Sequence, residues 1–177
     1  MSQVCFISDL HFGHKNIVKF GMSTGVRLRS GDNYVENMQI IIGNWNKKVT
    51  KRDTVFVLGD TAFSQEGYDA LGELAGRKIL VRGNHDNKFT TEQWLKHFES
   101  VEGLIKYKGL WLSHSPIHPA ELRGKLNVHG HCHSKSVRDT EGDYDPRYIN
   151  VCCEAIGETP LGYSEIMDGR YYKNRKC

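Results

Sequence analysis

The chain has 177 residues, 38% hydrophobic and 25% charged, with 24 basic against 21 acidic side chains and a net charge of +3. That length suits one domain over 1–177, able to bury about 70% of its unfolded surface without disulfides or a structural metal, and the composition excludes long disorder and collagen-like repeats. The charge is too mild to indicate nucleic-acid binding by itself, no apolar run reaches the ~18–20 residues of a membrane helix, and the N-terminal MSQVCFISDLHFGH lacks the pattern of a secretory signal. The five cysteines are odd in number and form no CxxC pair, which points to a reducing, cytoplasmic setting and away from a secreted disulfide scaffold.

In chain order, residues 3–8 read as a buried strand, followed by a loop from Phe12 to Ser30 rich in Gly and basic residues. Met38, Ile41, Ile42 and Trp45 recur at helical spacing, so 33–46 is expected to be a helix capped by Asp32 or Asn33. A strand at 54–58, a helix at 67–75 ended by Gly76, a strand at 78–82 and a helix at 91–98 follow. Beyond them come strand-like pieces at 101–107, 110–113, 126–129 and 147–152, an amphipathic piece at 162–168, and a basic tail over 170–177 expected to be frayed. The alternation early and the run of strands late imply an α/β layered sandwich, parallel early and antiparallel late.

The chemistry gathers at the carboxyl ends of these strands, where open α/β sheets bind ligands. Asp9 and His11 follow the first strand, Gly59-Asp60 the second, and Gly83-Asn84-His85-Asp86 the third. His114 follows the strand at 110–113, and Gly130-His131-Cys132-His133 follows 126–129. In extended chain Asp9 and His11, or His131 and His133, would point to one face. Two Asp, one Asn and four His exceed the needs of one ion and suit two ions sharing a bridge; Mn, Fe, Zn and Ni all accept such N/O donors. Two ions ~3.5–4 Å apart can clamp a phosphate and activate a water between them. His85, beside Asn84 but not needed as a ligand, is free to act as general acid or to stabilise charge in the transition state.

Taken together, DxH, GD, GNHD, a lone His and GHxH in this order resemble the calcineurin-like metallophosphoesterase superfamily over roughly residues 3–155. The resemblance is closer still to small bacterial and phage phosphoesterases, through Ser8 to Ile17 (SDLHFGHKNI) and Asn44-Trp45-Asn46. It implies a four-layer αββα sandwich with two mixed β-sheets and a metal site at the C-terminal strand ends. It also implies two divalent ions, manganese first, and a metal-bound hydroxide as nucleophile. Asp9, His11 and His133 would hold one ion, Asn84, His114 and His131 the other, and Asp60 would bridge. His85 would take the catalytic role, and Asp86 would orient it or a nearby group. After Gly59-Asp60 the chain reads Thr61-Ala62-Phe63-Ser64, unlike the GDxVDRG of the superfamily's protein phosphatases. The stretch after His133 is too short for the capping domain of its DNA-repair nucleases.

The implied substrate is a small phosphorylated molecule or nucleotide, with phosphodiesters ahead of monoesters and nucleic-acid ends included. A membrane has no part in this reading, and no oligomeric state is specified. The alternatives are a phosphomonoesterase of small phosphates and a non-catalytic nucleotide- or nucleic-acid-binding module using the same site. A metallo-β-lactamase-like hydrolase is excluded, because His131-Cys132-His133-Ser134-Lys135-Ser136 does not supply HxHxDH. On the loop after the first strand, His14 is expected either to face substrate or to pack the loop. Arg27 and Arg29, with Lys15 and Lys19, are candidate phosphate contacts. His118 and His129 read as rim and strand residues, His97 as a helix-surface residue, and Cys132, Cys152 and Cys153 as packing residues. The acidic run from Asp139 to Asp145 lacks the closing Glu of a calcium loop and reads as a solvated loop.

Overall fold

A computed structural model describes residues 2–21, 25 and 27–173. Among these, nine strands form two sheets. β1 (Val4–Ile7), β2 (Thr54–Val57), β3 (Arg77–Val81) and β4 (Ser100–Glu102) run parallel in the first sheet, and β9 (Leu161–Gly162) closes its other edge antiparallel to β1. The second sheet has the order β5 (Ile105–Tyr107), β6 (Leu110–Ser113), β7 (Leu126–His129) and β8 (Tyr148–Asn150).

The expected late antiparallel pairing holds for β5 with β6 and for β9 with β1; β6, β7 and β8 are parallel. The segments joining β6 to β7 and β7 to β8 are long enough to carry the chain back across the sheet, which a parallel pairing needs and a hairpin does not. The piece expected at 101–107 is two strands, β4 and β5, that belong to different sheets.

Side-chain alternation along the central strands builds two cores. Cys5, Ile7, Val55, Val57 and Leu80 face the helices, while Phe6, Phe56, Leu58 and Val81 meet Leu110, Leu112, Val128 and Ile149 of the second sheet. The helical layer is led by α1 (Tyr34–Lys48), which buries Met38, Ile41, Ile42 and Trp45, the residues at helical spacing. Its cap is Asn33, whose side chain accepts from the N–H groups of Val35 and Glu36. The next helix, α2 (Gln65–Ala70), starts two residues earlier than expected because Ser64 Oγ caps Gly67, and its last turn tightens to a 3-10 turn at Leu71–Glu73. The helix expected at 91–98 is a single turn, α3 (Thr91–Trp94), fixed by a Thr90/Gln93 capping box.

The outer face of the second sheet is met by the segment 114–125, which carries one 3-10 turn at Pro119–Glu121. Asn127 and Tyr148 on that face are buried and hydrogen-bond the covering chain at Ile117. His118 caps the turn by accepting from Ala120 N–H, and His129 is a buried strand residue. His97 packs edge-on against Tyr68 in the turn after α3. The acidic run is not wholly solvated: Asp145 is buried and paired with Arg147.

The chain ends in α4 (Tyr163–Met167) and α5 (Arg170–Lys173). The expected frayed tail is therefore folded at its start. Tyr171 is buried against the free edge of β8, and its hydroxyl donates to Asn150 C=O at 3.1 Å and accepts from Asn150 N–H at 2.9 Å. Residues 174–177 of that tail lie outside the described residues.

One close approach fixes α2 against the loop that carries His11. A Cβ on Gly67 would collide with the carbonyl of Phe12, while Phe63 N–H donates back to that same oxygen at 2.7 Å. Gly67→Ala should lower stability by about 1–3 kcal/mol, the usual cost of overpacking, measured as a fall in the denaturant midpoint at unchanged slope; an unchanged midpoint would mean that this contact does not restrain the loop.

Candidate metal centre

The ligand candidates converge at the carboxyl ends of the strands, where the two sheets come together. Ser8 continues β1 and exchanges backbone hydrogen bonds with the chain after β8, Ser8 N to Val151 O at 2.9 Å and Cys153 N to Ser8 O at 3.1 Å. The loops after β1 and β2 then run side by side, with Asp9 N–H on Gly59 O and His11 N–H on Asp60 O, both at 3.0 Å.

The backbone here is not extended. Asp9, His11, Asp60, His131 and His133 have φ values of 57°, 51°, 52°, 66° and 50°. This corrects the expectation that Asp9 and His11, and His131 and His133, share a face by strand alternation. Each turns toward the centre through a left-handed residue, a conformation costing about 1–3 kcal/mol that persists only where the surroundings enforce it. Glycines make the crowding possible. A Cβ on Gly59 would lie 2.5 Å from Gly83 N and 2.6 Å from His114 Nδ1, one on Gly83 would strike the Asp60 carboxylate, and one on Gly130 would lie 2.5 Å from Asp9 Oδ2.

Two groups result. In the first, His11 Nε2 is 3.5 Å and His133 Nε2 3.7 Å from Asp9 Oδ1. In the second, Asn84 Oδ1 is 2.9 Å from His114 Nε2 and 3.0 Å from His131 Nδ1, and the two histidine nitrogens are 3.2 Å apart. Asp60 lies between them, Oδ2 3.7 Å from His11 Nε2 and Oδ1 3.5 Å from His114 Nε2. Ligand atoms of Asp9, His11 and His133, and of Asp9, Asp60 and His114, each fall within 4.8 Å of one another. Asp9, His11, Asp60 and His114 form a buried floor, and Asn84, His85 and His131 an exposed mouth.

Asp9 shows how the site is poised for a cation. Its Oδ2 accepts from His131 N–H at 2.9 Å and from the Cys152 thiol at 3.2 Å, with Ser8 Oγ at 2.6 Å. Its Oδ1 and both ring nitrogens of His11 are buried without a hydrogen-bond partner. Buried polar atoms left this way are costly unless something else satisfies them. A divalent ion would do so, and carboxylate, amide and imidazole donors suit one. Burial works to raise the Asp9 carboxyl, but His11, Ser8 and His114 outweigh it and hold the group below the usual carboxylate range. Cys152, expected only to pack, thus also holds the carboxylate of a candidate ligand.

The histidines are oriented from behind. His114 Nδ1 donates to Leu58 O at 2.7 Å, which leaves Nε2 as the lone-pair nitrogen facing the site. His133 Nδ1 donates to Glu154 Oε1 at 3.0 Å, and this bond raises the His133 pKa. The sequence reading missed Glu154. Its carboxylate also accepts from Arg29 Nε at 2.8 Å, and both side chains are buried.

One expectation changes accordingly. Arg29 is not a substrate contact: its guanidinium is buried under the loop, donating to the carbonyls of Asp9 and Leu10 as well as to Glu154. Asp86, expected to orient His85 or a nearby group, holds the backbone N–H of Asp60. It is buried, and its carboxylate accepts from the N–H groups of Asp60, Thr61 and Gly83, so it locks the second and third loops together. Arg27 is exposed and paired with Asp32 at 2.7 Å. His14 is half-buried, 5.7 Å from His11 and edge-on to Phe63 at 4.9 Å between centroids, and burial lowers its pKa. His85 stands at the mouth with its side chain 54% exposed, Nε2 4.0 Å from Asp60 Oδ2 and its backbone N–H on Asp60 Oδ1 at 2.9 Å.

Glu154→Gln should weaken divalent-ion affinity by about 10–100-fold, the usual effect of removing the carboxylate behind a ligating histidine. Metal titration calorimetry on the folded variant measures it, and wild-type affinity would show that Glu154 serves only to neutralise Arg29.

The model of the calcineurin-like phosphoesterase family matches residues 2–152. An uncharacterised protein of Methanocaldococcus jannaschii is 30% identical over 94% of this chain and 90% of its own length. The gene 66 protein of Mycobacterium phage L5 is 30% identical over 95% of this chain and 94% of its own. The crystal structure of a protein of unknown function from Aquifex aeolicus superposes with a TM-score of 0.70 at 26% identity, covering 95% of this chain and 99% of that one. The match runs from β1 through the chain after β8 and so spans every ligand candidate from Asp9 to His133: the chain belongs to the calcineurin-like phosphoesterase family.

Proposed function

We propose that this phosphoesterase is a metal-dependent phosphodiesterase acting on nucleotides or nucleic-acid ends, through two divalent ions with manganese as the first choice and Fe, Zn or Ni as the others. The observation that carries it is the convergence of seven ligand-competent side chains on one opening, with an eighth polar group, His85, at the mouth. Asp9, His11 and His133 would hold one ion and Asn84, His114 and His131 the other, with Asp60 shared between them. When bound, such a pair supplies charge neutralisation for a phosphate and lowers the pKa of a water.

The protein's own groups do the rest. Asp60 is held by His85 N–H at 2.9 Å, and that bond also fixes the His85 backbone against the floor of the site. Its imidazole, open to solvent, can carry a proton to the oxygen that leaves as the phosphoester breaks. Phe63 stacks on His11 at 4.6 Å and shields one flank from water. Four free cysteines among the described residues fit a reducing, cytoplasmic setting, and no helix among them is long and apolar enough to cross a membrane.

The test is hydrolysis of bis(p-nitrophenyl) phosphate and p-nitrophenyl phosphate by metal-stripped protein, with each ion restored in turn. Diester turnover should return with Mn and vanish in chelator. His85→Ala should retain bound metal and lose about 10²–10⁴ in kcat, whereas Asp60→Asn should lose metal. Preference for the monoester would overturn the diesterase reading. Stoichiometric metal without turnover of either ester would make the site a binding module.

A further inference from the structure

An aromatic row leads out of the proposed metal centre, and ligating metal does not require it. Phe63 stacks on His11 with 17° between the planes and also touches His14 at 4.9 Å and His85 at 5.2 Å between centroids. Beyond them His14 lies 5.8 Å from Phe20. Exposure rises along the row, from buried His11 through half-buried Phe63 and His14 to Phe20, whose surface is 55% exposed. Phe20 is the one aromatic side chain among the large exposed hydrophobic residues described.

Charge flanks the row. Phe20 lines an open cleft of about 440 Å3 that Lys19, Arg27 and Asp32 also line. Beside Phe63 the Lys88 ammonium donates to the carbonyl of that residue at 2.7 Å. An exposed π face bordered by ammonium and guanidinium groups is the combination that single-stranded nucleic-acid sites use: bases stack on the ring and cations follow the phosphates.

Resting on the phosphodiesterase reading above, we infer that Phe20, backed by His14 and Phe63, is a stacking platform for the nucleobase next to the scissile phosphate. Lys19, Arg27 and Lys88 flank it as contacts for neighbouring phosphates. The platform selects by chemical class. A sugar phosphate or a phospholipid brings no aromatic ring to stack, and the bases inside a duplex already have stacking partners. Free nucleotide diesters and unpaired strand ends supply both a free ring and the phosphate. Because every base has a π face, discrimination among the four bases is weak.

The experiment compares a DNA dinucleotide with the same dinucleotide lacking its bases, using manganese-loaded wild type, Phe20→Leu and Phe20→Trp, with products separated by chromatography. Wild type should hydrolyse the base-bearing substrate with a KM about tenfold lower than the abasic one, the scale of one base on one ring. Phe20→Leu, which keeps an apolar side chain, should reduce that ratio to within about twofold through KM while kcat is little changed, and Phe20→Trp should restore it. Equal KM values for the two dinucleotides in wild type would overturn the platform and leave the phosphodiesterase reading intact. So would a wild-type ratio in Phe20→Leu. Failure to hydrolyse either dinucleotide, with p-nitrophenyl phosphate still turned over, would overturn the diesterase reading and the platform together.

Discussion

The carboxylate of Asp9 joins the parts of this molecule that make the site. It sits where β1 and the chain after β8 exchange hydrogen bonds, and one of its oxygens gathers His131 N–H, the Cys152 thiol and Ser8 Oγ. The other oxygen faces His11 and His133. A buried carboxylate in this position ties three separate segments to one point, and it is tolerable there only when charge and donors surround it. Much of the local geometry follows, including the left-handed backbone at Asp9 and at four further candidate ligands. So does the absence of a Cβ at Gly130, where one would meet that same carboxylate.

Behind this first ring of side chains lies a supporting ring that never faces the opening. Asp86 fastens the loops after β2 and β3 through three backbone N–H groups. Glu154 aims His133, and Arg29 both neutralises Glu154 and clamps the carbonyls of Asp9 and Leu10. Such buried ionic pairs contribute little net stability, because desolvation offsets attraction, but losing one partner strands the other. Their value here is geometric: they hold imidazole nitrogens and carboxylate oxygens within reach of a shared centre before any ion binds, so the ordering cost is met during folding.

The candidate ligands were legible in the sequence because metal chemistry restricts residue type and α/β topology restricts place. Asp, Asn and His at successive strand ends leave few other readings. The helix at 34–48 was legible for a similar reason, since Met38, Ile41, Ile42 and Trp45 mark one face. Other features carry no local mark. Glu154 and Arg29 lie 125 positions apart, and each alone reads as a surface charge; only the fold brings them together. Left-handed φ at Asp9 and His11 is invisible where no glycine announces it. The parallel pairing of β6, β7 and β8 depends on where long loops return, and β9, two residues long, has no periodicity to detect. The aromatic row from His11 to Phe20 is split between the loops after β1 and β2 and emerges only in space.

The most direct test of the dinuclear site is a crystal structure of the manganese-soaked protein with anomalous scattering measured on both sides of the manganese absorption edge. Two peaks about 3.5–4 Å apart are expected, one among Asp9, His11 and His133 and the other among Asn84, His114 and His131, with Asp60 touching both. A single peak, or peaks away from these side chains, would contradict the account.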